Sequence, residues 1–265
     1  MPTLQRPEGA LYYDLTDIAP PWAKPRETIL FLHGLAIDSD IWSPWLPALV
    51  DRYRVVRLDL RGFGRSFVPK DHAGWSMDAI AADVRAVMAA VGADKVHFIG
   101  ESTGGTVGLY MALHQREALL SLTTVSAAHR GGAIGRVTAL RDEIATLGMD
   151  KWSERLMAQR FHEGGISPEM WRWFHGVQRK AEPRACGDLL DMLVQVDLTA
   201  RLKEITTPTL IIAPDDSPFV SVESAVERLR AMPNARLQVI ANARHGVAFS
   251  HGAECAAAVS SFLKR

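Results

Sequence analysis

The sequence predicts an α/β protein: a doubly wound, mostly parallel sheet with an inserted helical cap. Three observations carry that expectation. Apolar runs of strand length alternate with longer helical patterns. The central runs are nearly continuous in Ile, Leu, Val and Phe, as parallel strands covered on both faces require. From Ala127 to Thr207 the alternation stops, leaving helical stretches rich in Trp, Met, Leu and Arg.

In chain order, the expected strands before the interruption are Ala10–Leu15, Thr28–Leu32, Arg54–Leu58, Val96–Ile99 and Leu120–Ser126. Helical patterns at Met77–Val91 and Thr103–Leu113 separate the later ones. Within the interruption, helices are expected at Ile134–Leu147, Lys151–Phe161, Pro168–Lys180 and Arg184–Val196, punctuated by Gly148, Gly164-Gly165 and Pro183. The alternation then resumes with strand Thr209–Ala213, helix Val222–Met232, strand Arg236–Ile240 and helix Ala253–Leu263. The interruption is too long for one crossover helix, so residues 1–126 and 208–265 form the expected core domain and 127–207 the cap.

A chain of 265 residues can bury a sizeable core. Its 48% hydrophobic and 23% charged residues are ordinary for a soluble globular protein. Thirty basic and thirty acidic side chains cancel, so nothing points to nucleic acid or an anionic membrane as partner. Cys186 and Cys255 lie far apart and outside any metal-ligand spacing, and are expected to be reduced structural residues. No metal or cofactor is called for. The start lacks a basic segment followed by an apolar one, and no apolar run approaches bilayer-spanning length; a soluble cytoplasmic protein is the expectation.

The most informative motif is Gly100-Glu101-Ser102-Thr103-Gly104, directly after the apolar run Val96–Ile99. It has the G-x-S-x-G pattern of a strand ending in a sharp turn that exposes a serine. Flanking glycines remove side chains that would collide with neighbouring backbone. The serine then sits at a helix N-terminus, where free N–H groups favour developing negative charge. A serine N-cap in an ordinary strand–helix turn would need the same glycines, so the rest of the chain must decide between catalysis and capping.

Four segments together resemble the α/β-hydrolase superfamily: Leu32-His33-Gly34-Leu35, Asp59-Leu60-Arg61-Gly62-Phe63-Gly64-Arg65-Ser66, the serine turn, and Ala243-Arg244-His245-Gly246. The resemblance covers the whole chain and is nearest to small capped serine hydrolases: enol-lactonases, carboxylesterases and carbon–carbon bond hydrolases. It implies Ser102 as nucleophile and His245, after the last strand, as general base. It makes His33 a support for the oxyanion loop and the Asp59 segment a structural loop. The oxyanion donors it implies are the backbone N–H groups of Leu35 and Thr103. The acid is expected in Ala213-Pro214-Asp215-Asp216, in place of the family's G-x-x-D pattern. With Ala213 matched to the glycine, Asp216 is the carboxylate that would fix the His245 tautomer, and Asp215 the rival beside it.

The implied reaction is hydrolysis of a small ester or lactone through an acyl-enzyme, with a small molecule as partner. Serine at the turn argues against the branches that use aspartate there. Carbon–carbon bond hydrolysis of a diketone, ligand reception and cofactor-free oxygenation on the same fold remain open. His129 and Arg130, just beyond a strand tip, and Trp152 in the cap are the candidate substrate-binding residues, although packing of the cap onto the sheet is the better reading for any single cap aromatic and a solvated hinge arginine the better one for Arg130.

Overall fold

A computed structural model describes residues 2–20 and 22–264. Its centre is one eight-stranded sheet: β1 (Thr3–Arg6), β2 (Gly9–Thr16), β3 (Thr28–Leu32), β4 (Arg54–Leu58), β5 (Val96–Glu101), β6 (Leu119–Val125), β7 (Thr209–Pro214) and β8 (Ala235–Ile240). The spatial order is β1-β2-β4-β3-β5-β6-β7-β8. The first two strands form an antiparallel hairpin against β4, and all pairs from β4 to β8 are parallel. β1 was not anticipated. It is a four-residue edge strand of alternating exposure, too short and too polar to announce itself.

Central strands are buried on both faces, yet their side chains still alternate. Leu30, Leu32, Val56, Leu58 and Phe98 enter one core, and Ile29, Phe31, Val55, Ile99 and Ile212 enter the other. Helices α1 (Met77–Ala90) and α2 (Thr103–His114) contribute to the first core. A 3-10 helix over Ser39–Ala48, containing Pro44 and Pro47, brings Trp42 and Trp45 to the second.

Between β6 and β7 lie α3 (Val137–Arg160), α4 (Pro168–Gln178) and α5 (Pro183–Val194). Two separate helices were expected in the α3 region. They meet at Gly148, whose φ of 72° and ψ of 165° break the helical path. These helices share the first core with the sheet through Leu140, Leu156, Leu189 and Leu193. After β7 come α6 (Val222–Ala231), β8, the short α7 (Val247–Ser250) and α8 (Gly252–Leu263). Among the described residues, no helix is long and apolar enough to cross a membrane.

Because β3, β5, β6, β7 and β8 run parallel, their C-terminal ends lie along one edge. The loops after Leu32, Glu101, Val125, Pro214 and Ile240 therefore converge, which is where open α/β sheets place their ligand sites.

Candidate active site

The turn after β5 holds Ser102 at φ 52° and ψ −117°, the left-handed region that an L-residue occupies only at a cost. The Ser102 N–H donates to the Val125 carbonyl at 2.8 Å, and its own carbonyl accepts from Gly105 and Thr106, which opens α2. Gly104 is required here, since any Cβ would overlap the Leu32 carbonyl. His245, on the loop after β8, brings Nε2 to 3.2 Å from Ser102 Oγ. The ring is 95% removed from solvent and packs edge-on against Phe219.

Leu35 and Thr103 line the same cavity as Ser102 and His245. Among the described residues, neither backbone N–H donates to a protein acceptor; for Thr103 this follows from its place in the first turn of α2. His33 stands behind that loop. Its Nδ1–H donates to the Gly34 carbonyl at 2.8 Å and its Nε2 accepts from the Leu60 N–H at 2.9 Å, which fixes one neutral tautomer. Burial, the larger influence, keeps its pKa below the ordinary value.

The acid does not fall where the sequence placed it. Asp216 is brought to neither face of His245: its side chain is 58% exposed, 3.1 Å from Arg244 Nε and 3.5 Å from His162. The residue facing His245 Nδ1 is Ser217, whose Oγ lies 3.2 Å away. The cause is one residue of strand. β7 runs through Pro214, paired with Ile240, instead of stopping at Ala213. Asp215 then opens the turn, accepting the Asn242 and Ala243 N–H groups at 2.9 Å each, and these bonds hold its carboxyl below the usual range. Asp216 follows outward and Ser217 inward. Matching Pro214, not Ala213, to the family's glycine would have found this position.

Ser217 differs from a carboxylate in what it can fix. A carboxylate only accepts, so it keeps the imidazole proton on Nδ1 and leaves Nε2 free to act as base. Ser217 Oγ already accepts from the Phe219 and Val220 N–H groups, at 3.3 Å and 3.2 Å, and its own proton is free to donate. With both lone pairs taken, it is left to donate to Nδ1, which orients the ring and favours the tautomer that keeps the proton on Nε2. With no carboxylate against it, His245 is pushed down to about 3, first by burial and then by the charge of Arg160.

Arg160 was not singled out in the sequence. It ends α3, and its carbonyl accepts the Gly246 N–H at 2.9 Å, while Nη2 donates to the Leu35 carbonyl at 3.1 Å. One buried cation thus joins the histidine loop to the oxyanion loop. Glu101, immediately before Ser102, lies 3.8 Å from Arg160 Nη1, and burial raises its carboxyl to about 7. Only helical position marks Arg160 in the sequence, and its burial depends on contacts from two distant loops.

The three expected substrate-binding residues lie elsewhere. His129 is buried beside Glu227, Nε2 at 3.4 Å from its carboxylate, and Arg130 is exposed, its backbone paired with that of Asp197 in an isolated antiparallel β-bridge. Both line a separate surface groove on the far side of Phe219 and Val220. Trp152 is wholly buried in the α3 packing, where its size serves the core. The cavity at Ser102 is instead lined by Ile134, Leu140, Leu156, Leu190, Leu193 and Phe219, with Arg160 as its one charged side chain.

Known proteins agree with this architecture. The profile of the α/β hydrolase fold family matches residues 27–252. A putative carbamate hydrolase, RutD, from Caulobacter segnis is 29% identical over 241 residues, covering 83% of this chain and 85% of its own. A non-heme haloperoxidase from Rhodococcus erythropolis is 29% identical over 265 residues, covering 92% and 94%. Among solved structures, the enol-lactonase from Burkholderia xenovorans superposes with a TM-score of 0.91 over the whole of both chains at 20% identity. A hydrolase from Pseudomonas aeruginosa gives 0.88 at 23% identity, over 100% of this chain and 98% of its own. The sheet order, the strained serine turn and the profile match over most of the chain lead to one assignment: the protein belongs to the α/β hydrolase fold family.

Proposed function

We propose that the protein is a serine hydrolase that cleaves a small ester or lactone through an acyl-enzyme. The observation that carries this reading is the strained Ser102, its Oγ 3.2 Å from His245 Nε2 beside two uncommitted backbone donors. Ser102 Oγ attacks the carbonyl carbon as its proton passes to Nε2, and the oxyanion settles on the Leu35 and Thr103 N–H groups. The imidazolium returns that proton to the leaving oxygen, the carbon–oxygen bond breaks, and the acyl group stays on Ser102. Water then repeats the sequence, losing its proton to His245 and releasing a carboxylic acid.

Ser217 takes the place of the triad acid and acts as a positioning residue. A hydroxyl holds the ring but permits the unproductive tautomer. Where an amide replaces the acid and allows that tautomer, turnover falls by about 10⁴. The protein is therefore expected to be a slow hydrolase on simple esters, and its rate is expected to rise when a carboxylate is supplied at position 217.

The test is p-nitrophenyl acetate hydrolysis by the wild type and Ser102→Ala, followed through the first turnover. A stoichiometric burst that disappears in the variant supports the acyl-enzyme. Turnover that survives in Ser102→Ala overturns it, and oxygen uptake surviving the same substitution would favour cofactor-free oxygenation.

A further inference from the structure

Arg160 is a cation with too few partners. Its side chain is almost wholly buried, and among the described residues Nε and Nη1 donate no hydrogen bond. Nη2 has the Leu35 carbonyl, and the guanidinium lies 5.3 Å from the centre of the Phe174 ring. The nearest anion is Glu101, at 3.8 Å from Nη1 and beyond hydrogen-bond range. A buried guanidinium with unmet donors is costly unless something else completes it. Everything else around the Ser102 cavity is apolar, a hydroxyl or the neutral His245.

We infer that Arg160 is a substrate-binding residue that receives a carboxylate carried on the acyl portion of the substrate. Substrate class is thereby narrowed to small ester or lactone monoanions, an inference that rests on Ser102 being the nucleophile. The acyl portion is specified because it remains on Ser102 between the two half-reactions, while the leaving group has to depart. The acyl side therefore suits the enclosed apolar pocket. In this structure that cavity is about 40 Å³, with walls mainly of Leu, Ile and Phe side chains. Guanidinium donors match carboxylate oxygens in geometry and charge. The arriving anion also faces the histidine that Arg160's charge disfavours as an imidazolium, so binding and proton transfer are coupled.

The experiment measures binding without turnover. Ser102→Ala protein is titrated calorimetrically with monomethyl succinate and with dimethyl succinate, which differ by one carboxylate. The inference expects the monoanion to bind at least about tenfold more tightly. Adding Arg160→Gln should abolish that difference, and Arg160→Lys, which keeps the charge, should retain part of it. Circular dichroism and thermal unfolding show which variants are folded, and the Lys variant serves if the Gln variant is not. Equal affinity for both esters, no saturation by the monoanion up to millimolar concentration, or a preference that survives Arg160→Gln would overturn the inference. Failure of the hydrolase reading shows separately, as loss of the Ser102-dependent burst in wild-type protein.

Discussion

Two buried carboxylates, one just after β4 and one closing β5, are treated in opposite ways. Asp59, wholly buried after β4, accepts from the Ser39 N–H, the Arg65 N–H and Arg65 Nε, each at 2.8 Å. Burial alone would raise its pKa, but these bonds, those from Arg65 foremost, carry it below the ordinary carboxylate value. Glu101, equally buried at the end of β5, has only the charge of Arg160 and the Gly34 backbone to set against its burial, and is raised to about 7. The first is completed by donors from the Ser39 and Arg65 segments. The second lies beside Ser102 and Arg160 and leaves polar groups unmet. Polar groups of a structural loop satisfy one another; those of a binding site are left for a ligand.

Breaking the satisfied side should have the largest effect on stability. Asp59→Ala leaves the buried Ser39 and Arg65 N–H groups without an acceptor, and urea unfolding should show a loss of about 3 kcal/mol. A loss below about 1 kcal/mol would mean that the loop is held by packing alone.

The unsatisfied side predicts a pH effect. Glu101 moves from 4.5 to about 7 on folding, so between those values the folded state keeps a proton that the unfolded chain has released. Stability from this group therefore falls as pH rises through that window, by about 3 kcal/mol in all. His245 works the other way. Its pKa drops from 6.5 to about 3 on folding, so its contribution rises with pH over that range and partly masks the first. Glu101→Gln removes one limb only. Its stability relative to wild type should climb steadily from pH 4.5 to 7 and level off above, as measured by urea midpoints across that range. A difference that is flat with pH would place the ionised Glu101 in a fully compensated pair.

The smallest effect is expected at the carboxylate that the sequence favoured. Asp216 meets only Arg244 and His162 at the surface, and Asp216→Ala should change kcat/KM by no more than about threefold. Loss of a working triad acid costs far more, about 10⁴, so the assay separates the two roles cleanly.

Most of the fold was legible because parallel strands buried on both faces must be continuously apolar, and helices α1, α6 and α8 carry a 3.6-residue period. The Ser102 turn was legible because its strained backbone demands glycine at fixed positions. His245 was legible from its place after the last strand. The acid position was not, because it depends on where β7 ends. Pro214 reads as a terminator but pairs within the strand, and one residue of difference turns Asp216 outward and Ser217 inward. Arg160 was hidden for another reason. A charged residue in a helix normally faces solvent, and only the approach of the Leu35 and Gly246 loops buries this one. His129, Arg130 and Trp152 were plausible by chemistry, yet the wall formed by Phe219 and Val220 separates the first two from Ser102.

The most direct test of the account is the steady-state rate of Ser217→Asp against wild type on p-nitrophenyl acetate across pH. The account predicts a rise in kcat of about tenfold or more, because a carboxylate at 217 fixes the Nδ1–H tautomer and stabilises the imidazolium. It also predicts an acid limb moving up from the low pKa of about 3 that His245 has in the wild type. An unchanged or lower rate in a folded variant, with no shift in that limb, would contradict the claim that Ser217 stands where the catalytic acid belongs.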